Sequence, residues 1–317
     1  MVSVLFATLR NHGQVDKPVA YYGDSRGRLT TGSCEMEFRP VNGLKQLADS
    51  SPFYIPDRIR SLRKITEFPQ EELWKRLDNA VARDNGNLVL YIHGYNISFQ
   101  KACRRAATFQ RELDLHGRLL LFSWPANGNL LTYTQDVADI SWSVNYLENF
   151  LASLHLRYGA ERVSLVGHSL GARGLVEALI HLGYGNTGGP LFNELVLIAP
   201  DIDSQVFLQR LAELQPQVQR ITLYASANDK ALKFSNEVHG AVRLGEGGER
   251  LTLAPGVETI DVSALESRSV SGHIYHQHDS SVIADIKQLI DEGKGAAGRS
   301  GLVRRSRQDG SYWVLQP

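Results

Sequence analysis

From residue 87 to residue 290, short apolar runs alternate with amphipathic segments. The apolar runs are rich in Val, Leu and Ile, which predicts buried strands at 88–92, 119–123, 163–166, 195–198, 221–225 and 259–262. The segments between them predict helices near 99–115, 133–158, 170–182, 204–214, 230–238 and 280–290. This alternation predicts an α/β fold, with a mainly parallel central sheet and helices on both of its faces.

The N-terminal part of the chain follows a different pattern. Residues 2–7 are apolar enough for a strand, and residues 32–39 alternate between apolar and polar side chains, as in a second strand. We expect residues 11–31, which are rich in Gly, Asp and Arg, to form a loop. Residues 69–84 predict an amphipathic helix with a proline at its start. These elements predict an N-terminal antiparallel extension of the sheet.

The same patterns predict one domain, residues 1–291, followed by a short tail. Within the domain, residues 1–86 hold the N-terminal strands and helix, and residues 87–291 form the core. The stretch after the last predicted helix is rich in glycine. We therefore expect residues 292–317 to form a linker and a C-terminal tail, which ends in a short docked strand or an ordered segment.

Composition narrows the class of protein. Hydrophobic residues make up 43% and charged residues 21% of the chain, as in a globular protein with a substantial core. Lys plus Arg and Asp plus Glu both number 34, so the net charge favours neither nucleic acid nor an anionic membrane as a partner. No apolar stretch has the length of a membrane span and no signal peptide is visible, so we expect a cytoplasmic protein. The oligomeric state stays open.

The two cysteines, Cys34 and Cys103, carry little information in the sequence. They show no metal-ligand spacing and no disulfide framework. This suits a reducing compartment, although two cysteines can also form one bridge.

A serine lies between two glycines where a predicted strand passes into a predicted helix. The motif is Gly167-His168-Ser169-Leu170-Gly171. A chain that reverses this sharply places the serine in a sparsely allowed backbone conformation, and the neighbouring positions need glycine. The turn also presents the hydroxyl at a helix N-terminus, which favours a developing anion. The sequence therefore predicts that Ser169 is a nucleophile.

Three histidines follow the last predicted core strand: His273, His276 and His278. In this architecture, a loop after the final strand carries the base, in the chain order serine, acid, histidine. We choose His273, with His276 and His278 as alternatives. Their spacing on a loop without added carboxylates does not favour a metal site, and no zinc motif or Gly-rich phosphate loop occurs. We expect no metal and no cofactor.

The carboxylate that orients the base has two candidate sources. Asp229 follows one predicted strand, and its position at the carboxyl end faces the expected site. Asp201 and Asp203 follow the preceding strand and are the alternatives, although Asp203 is also well placed to cap a helix. Asp136 and Asp139 lie on a predicted helix, and we expect them to be solvated rather than to form a glycosidase pair.

Backbone N–H groups complete the predicted site. The residue after the nucleophile, Leu170, supplies one donor to an oxyanion, and the loop after the strand 88–92 supplies the other, which we assign to Tyr95. His93 is expected to brace this loop by hydrogen bonding. His93 and Trp124 are also possible pocket-lining residues, and simple packing is the alternative for Trp124.

The chain resembles the alpha/beta-hydrolase superfamily, and within it a largely bacterial family of uncharacterised alpha/beta hydrolases. The matching segments, in order, are VLFATLR (4–10), GSC (32–34), HGYN (93–96), FSWP (122–125), GHSLG (167–171), APDID (199–203), SANDKAL (226–232), GHIY (272–275) and YW (312–313). Their order and spacing together are specific, whereas each alone is not. The resemblance implies a Ser-Asp-His triad at Ser169, Asp229 and His273.

These residues predict a serine hydrolase, in the first place a carboxylesterase. It would cleave carboxylic ester or thioester bonds of a small-molecule substrate through an acyl-enzyme intermediate. One alternative is an acyltransferase with the same triad, in which an alcohol replaces water. Another is a non-catalytic binding protein that retains the fold.

Overall fold

The computed structural model describes residues 1–40, 58–84, 86–127, 132–265 and 272–317. Within these ranges the strands are β1 Val2–His12, β2 Tyr22–Pro40, β3 Arg58–Glu67, β4 Leu88–Ile92, β5 Leu119–Ser123, β6 Val163–His168, β7 Phe192–Ile198, β8 Val218–Ala225, β9 Val257–Asp261, β10 Leu302–Arg307 and β11 Gly310–Leu315. They form one sheet in the order β10-β11-β9-β8-β7-β6-β4-β5-β1-β2-β3.

The sheet is parallel in its centre and antiparallel at its two edges. Every pairing from β1 to β11 along this order is parallel. The strands β2 and β3 at one edge and β10 at the other pair antiparallel with their neighbours. The carboxyl ends of β4, β6 and β8 therefore lie at the same side of the sheet, and the loops that follow them can meet.

Helices cover both faces of the sheet, which confirms the predicted fold class. The described helices of eight or more residues are α1 Gln70–Asp84, α2 Phe99–Glu112, α3 Tyr133–Tyr158, α4 Leu170–Leu182, α5 Ser204–Leu214, α6 Lys230–His239 and α7 Ser280–Glu292. Apolar side chains of α1, α3, α4 and α5 pack on one face, and those of α2 and α7 pack on the other. Successive residues of β4 alternate between these two cores, as Leu90 and Tyr91 do.

The N-terminal extension is longer than the sequence predicts. The expected loop at 11–31 is wrong over much of its length, because β2 begins at Tyr22 and pairs with β1 as far as His12. The strand β3 was not predicted at all. Both segments carry many polar residues, and antiparallel strands tolerate them because one face of such a sheet can reach solvent.

The residues after α7 join the sheet at the opposite edge. β11 pairs with β9, and β10 pairs with β11. In the glycine-rich stretch that we expected to be a linker, Arg299 is buried and its guanidinium lies 2.8 Å from the carboxylate of Asp285 and 3.0 Å from the hydroxyl of Tyr224. This buried contact fastens the stretch to α7 and β8.

Cys34 of β2 and Cys103 of α2 form a disulfide, and their Cα atoms are 6.4 Å apart. The bridge is the second of the two possibilities that the sequence left open. It ties α2, which begins just after the loop that follows β4, to the N-terminal extension. Such bridges are typical of oxidising compartments, so this one does not favour the cytoplasmic location expected from the sequence. Among the helices that the structure describes, none is long and apolar enough to cross a bilayer.

Candidate active site

Ser169 occupies a strained turn between β6 and α4. Its φ of 55° and ψ of −127° lie in a region that residues with side chains rarely adopt. The flanking glycines allow the turn: a Cβ on Gly167 would lie 2.6 Å from the Cα of Ala172, and one on Gly171 would collide with the carbonyl of His93. The chain therefore has the sharp strand-to-helix turn that the glycine-flanked motif predicts.

The hydroxyl of Ser169 lies at the N-terminus of α4. The residue is 1% exposed, and its Oγ has no hydrogen-bond partner in the described part of the chain. Leu170 is the first residue of the helix, so its N–H has no acceptor within the helix. The helix dipole adds partial positive charge at this end. An anion that forms beside Ser169 is stabilised by both features.

The loop after β4 lies directly against Ser169. A Cβ placed on Gly94 would be 2.7 Å from the Cβ of Ser169 and 2.8 Å from Nδ1 of His168. Tyr95 follows, and its ring packs edge-on against the ring of Tyr133, with 5.4 Å between the centroids. The structure thus brings the predicted donor loop and the serine together, and glycine makes this close approach possible.

Replacing Gly94 by Ala is expected to lower kcat about 10- to 100-fold, because the added methyl group displaces the loop from Ser169 and a shift near 1 Å costs about this much. The measurement is ester hydrolysis together with the unfolding midpoint. Gly188→Ala is the control, since its added Cβ would meet only the side-chain oxygen of Asn186, at 3.5 Å. A Gly94→Ala variant with wild-type kcat would contradict this reading of the loop.

Asp229 and His273 form a hydrogen-bonded pair. Nδ1 of His273 donates to Oδ2 of Asp229 over 2.7 Å, and both side chains are buried. The other oxygen of Asp229 accepts the N–H groups of Ala231 and Leu232, each over 3.0 Å, at the start of α6. The carboxylate is thus held at a helix N-terminus and aims one oxygen at the imidazole.

Contacts on two sides fix the loop that carries His273. Nε2 of His168 donates to the carbonyl oxygen of His273 over 3.0 Å. The hydroxyl of Tyr275 donates to the carbonyl of Tyr224 and accepts the N–H of Ala199, which has a strained φ of 44° at the end of β7. Sequence reasoning missed Tyr275; its position two residues after His273 was the available signal.

The two alternative acids have other partners. The carboxylate of Asp201 is 2% exposed and accepts from Tyr133 over 2.6 Å, from Ser235 over 2.7 Å and from Arg243 over 2.9 Å. Asp203 accepts the N–H groups that open α5, as a helix cap does. Of the three candidates, only Asp229 has a described hydrogen bond to a histidine side chain.

Neither of the two alternative bases forms a described hydrogen bond with Asp229, which pairs with His273. His276 is fully buried, and its ring lies 4.5 Å from that of His168. Burial lowers the pKa of His276 well below its usual value, and Arg105 acts in the same direction. Burial also lowers the pKa of His278 to about 4. Neither environment favours a histidine that must gain a proton during turnover.

A family model described as an alpha/beta hydrolase of unknown function (DUF900) matches residues 69–292. The chain belongs to this family. A search of curated proteins found no match.

Two solved structures are remotely similar to this alpha/beta hydrolase. The product of the gene lin2722 from Listeria innocua is 12% identical, with a TM-score of 0.40, and the likeness covers 73% of this chain and 99% of that one. Phospholipase PlaB from Legionella pneumophila, solved in complex with thio-NAD, is 12% identical, with a TM-score of 0.34, covering 72% of this chain and 67% of that one.

His93 of the hydrolase braces the loop after β4 from inside. One ring nitrogen, Nδ1, lies 2.9 Å from the carbonyl of Gly94, which only accepts, so Nδ1 carries a proton. Burial lowers the pKa of His93 well below its usual value, so the ring is neutral and Nε2 accepts from the Ser123 hydroxyl over 3.0 Å. The indole of Trp124 stacks on this ring and donates to the His93 carbonyl over 2.7 Å. Both proposed pocket-lining side chains are fully buried against the protein.

Arg10 extends this network, and sequence reasoning missed it. Its Nε donates to Ser123 over 3.0 Å, and its terminal nitrogens donate to the carbonyls of Ile97, Ala126 and Gly23 over 2.6, 2.9 and 3.1 Å. Burial lowers the pKa of Arg10 to about 9, so the group remains charged at neutral pH. One guanidinium therefore clamps the loops after β4 and β5. The signal in the sequence was an arginine at the end of an apolar strand.

Asp136 and Asp139 are not solvated, and our expectation for them is wrong. Asp136 is 0% exposed and accepts the N–H groups of Asn96 and Asn127 over 2.9 and 2.7 Å. Burial raises its pKa to about 6. Asp139 is 4% exposed and pairs with Arg26 of β2 over 2.6 Å. The loops and the N-terminal strands cover this part of α3, which the helix pattern alone does not reveal.

The burial of His168 should make the folded protein less stable in acid. Burial lowers its pKa well below the usual value, and His276 and His273 act in the same direction. Below about pH 6.5 the unfolded chain binds a proton that folded His168 does not, so the free energy of unfolding falls by about 1.4 kcal/mol per pH unit from this residue. His168→Gln, which keeps a donor but does not titrate, is expected to remove that contribution.

Urea unfolding measures this effect. The wild type and His168→Gln are compared at two pH values, one near neutral and one a unit below pH 6.5. The wild type should lose about 1.4 kcal/mol more than the variant over that interval. His181→Gln, at an exposed position, is the control. Equal losses in wild type and His168→Gln would show that His168 takes up its proton in the folded state.

Proposed function

We propose that this alpha/beta hydrolase is a serine hydrolase that cleaves carboxylic ester or thioester bonds of small molecules, in the first place a carboxylesterase. The observation that carries the proposal is the hydrogen bond between Asp229 and His273, on a loop anchored to His168, the neighbour of Ser169. A hydroxyl becomes an effective nucleophile when a base takes its proton and a third group orients that base.

The hydrogen bond to Asp229 fixes the proton arrangement of His273. A carboxylate only accepts, so Nδ1 of the ring carries a proton, and in the neutral ring Nε2 carries the lone pair. In the proposed first step, Ser169 Oγ bonds to the substrate carbonyl carbon while Nε2 takes the hydroxyl proton. Asp229 then stabilises the imidazolium.

The carbonyl oxygen becomes an oxyanion, which the N–H groups of Leu170 and Tyr95 bind at the N-terminus of α4. The bond to the leaving group breaks as Nε2 returns the proton to the departing alcohol or thiol. Water then attacks the acyl-enzyme in the same way, with His273 as base, and releases the acid and the free serine. No step of this scheme requires a cofactor.

Two other functions fit the same fold. In an acyltransferase an alcohol replaces water in the second step, with the same residues in the same roles. A binding protein would retain the fold without turnover. The buried hydrogen bond between Asp229 and His273 favours catalysis over mere binding, because a carboxylate that orients a histidine is what a serine nucleophile requires.

A fluorophosphonate probe, which reacts with activated serine hydroxyls, tests the proposal. We expect one adduct, located by peptide mass spectrometry on the peptide that contains Ser169, and none after heat denaturation.

Turnover of p-nitrophenyl acetate, butyrate and octanoate, with and without an added alcohol, identifies the acceptor of the acyl group. Free acid as the main product supports hydrolysis, and a new ester supports acyl transfer. If neither an adduct nor a product forms, the remaining function is that of a non-catalytic binding protein.

A further inference from the structure

Asp136, in the first turn of α3, is a buried carboxylate that bridges two loops. Its Oδ2 accepts the N–H of Asn96, in the loop after β4, over 2.9 Å. Its Oδ1 accepts the N–H of Asn127, in the loop after β5, over 2.7 Å. A carboxylate in a first helical turn commonly stabilises the N-terminus of its own helix. Both of these hydrogen bonds instead lead out of the helix, so the side chain holds other segments in place.

Arg10 holds the same two loops by their carbonyl groups. It donates to the carbonyls of Ile97 and Ala126 over 2.6 and 2.9 Å. The peptide bond that follows Ala126 is therefore fixed at both of its ends, its carbonyl by Arg10 and its N–H by Asp136. The two side chains also attract each other, because Asp136 is the first charge that opposes the lowering of the Arg10 pKa by burial. Hydrogen bonds to ionised groups are the stronger kind, so the two loops are held firmly.

The hydrogen bond from Asn96 lies next to the proposed oxyanion donor, Tyr95. Asn96 has a φ of 57°, in the left-handed region that residues with side chains rarely adopt, and such a conformation persists where its surroundings fix it. The same loop lies against the nucleophile, since a Cβ on Gly94 would be 2.7 Å from the Cβ of Ser169. A small shift of Asn96 therefore moves the N–H of Tyr95 relative to Ser169.

We propose that Asp136 is a positioning residue, which holds the loop after β4 so that the N–H of Tyr95 points at the oxyanion. This inference rests on the proposed function, because it assigns the loop its role in the same reaction. A donor stabilises a developing charge only where its direction is fixed in advance, and a misplacement of about 1 Å can cost about 100-fold in rate. Asp136 acts through the loop, and the reacting atoms stay with Ser169 and His273.

The ionisation of Asp136 gives the proposal a second consequence. Burial raises its pKa to about 6, its two N–H donors and Arg10 lower it, and Asp139 on the next turn of α3 raises it. The hydroxyl of Tyr95 also senses the carboxylate, which raises the pKa of that hydroxyl. Below about pH 6, protonation turns one acceptor oxygen of Asp136 into a hydroxyl. One loop contact is then lost, so kcat/KM should fall more steeply with pH than in a variant without this carboxyl group.

The test compares the wild type with Asp136→Asn, with rates expressed per active site as counted by complete fluorophosphonate labelling. Asparagine replaces one acceptor oxygen by an N–H donor that opposes an N–H of the loop. We expect kcat/KM for p-nitrophenyl butyrate to fall about 10- to 100-fold per site. The affinity for a trifluoromethyl ketone of the same chain length should fall by the same factor. Its adduct forms when Ser169 Oγ bonds to the ketone carbon, His273 takes the hydroxyl proton and the ketone oxygen becomes an oxyanion.

The matching alcohol, which has no carbonyl group, separates positioning from a general loss of structure. Its affinity should be the same in the wild type and in Asp136→Asn, because it makes no oxyanion. Asp139→Asn is the matched control: it removes a buried carboxylate from the same helix, but one that pairs with Arg26 of β2 over 2.6 Å. This variant should keep the wild-type rate per site and the wild-type affinity for the ketone.

Asp136→Glu is the second variant, needed because Asp136→Asn also removes the charge that faces Arg10 and can prevent folding. Glutamate keeps the charge and both acceptor oxygens but displaces them by one methylene group, so kcat/KM per site should again fall about 10- to 100-fold. Wild-type rates per site in both variants, or in whichever one folds, would overturn the proposal for Asp136 alone. A wild type that neither turns over the ester nor binds the ketone would instead overturn the proposed function, and this inference with it.

Discussion

Replacing Ser169 by Ala is expected to lower kcat for p-nitrophenyl butyrate by about 10⁴-fold or more. The proposed acyl-enzyme cannot form without Oγ, and the N–H groups and the binding pocket leave only residual catalysis. The unfolding midpoint should not fall, since Oγ has no described hydrogen bond to lose and the strained φ of 55° is no worse for alanine. The measurement is kcat/KM together with thermal unfolding.

The chain offers a matched control on the strand that leads to Ser169. Ser164 of β6 is also fully buried, and its Oγ likewise has no hydrogen-bond partner in the described residues. Ser164→Ala removes the same atom from the same kind of environment and should retain wild-type activity. A Ser169→Ala variant that keeps more than a tenth of the wild-type rate would exclude Ser169 as the nucleophile.

Replacing Asp229 by Asn is expected to lower kcat by about 10³- to 10⁴-fold while KM changes little. The amide does not hold the proton of His273 on Nδ1, and it carries no charge to stabilise the imidazolium. The helix α6 should remain, because asparagine accepts the same N–H groups of Ala231 and Leu232 that Asp229 accepts. The loss should therefore be in turnover rather than in folding.

The alternative acids provide the comparison. Asp203 caps α5 as Asp229 caps α6, so Asp203→Asn reproduces the change at a cap without the histidine and should leave kcat unchanged. Asp201→Asn breaks a buried ion pair with Arg243 and should cost about 3–5 kcal/mol of stability, with activity per folded molecule retained. If Asp201→Asn or Asp203→Asn instead abolishes turnover at full folding, the acid is not Asp229.

Local sequence was enough to predict the central elements. The predicted strand at 119–123 and helix at 170–182 coincide with β5 and α4, because a run of Leu and Phe buried on both faces and an amphipathic period are properties of consecutive residues. The strained turn at Ser169 was predictable for the same reason, since only glycine at positions 167 and 171 permits the close approach of the backbone there.

The edges of the sheet were less predictable. The polar residues in the first part of β2 predicted a loop, and those of β3 predicted no element. Hydrogen bonds to neighbouring strands nevertheless hold both segments in an extended form. The glycine-rich stretch near Arg299 likewise predicted a linker. Its order comes from the ion pairs of buried Arg299 with Asp285 and Glu258, which lie on two other elements. Pairing between distant segments leaves little trace in the periodicity of either one.

The sequence by itself determined the fold class, the strand-to-helix turn at Ser169 and a short set of candidate acids and bases. Only the tertiary structure placed Asp229, rather than Asp201 or Asp203, in a hydrogen bond with His273. It also revealed Arg10 as the clamp on two loops. The physical reason is that a local pattern specifies backbone conformation, whereas burial and hydrogen-bond partners depend on which distant segments meet at the end of the sheet.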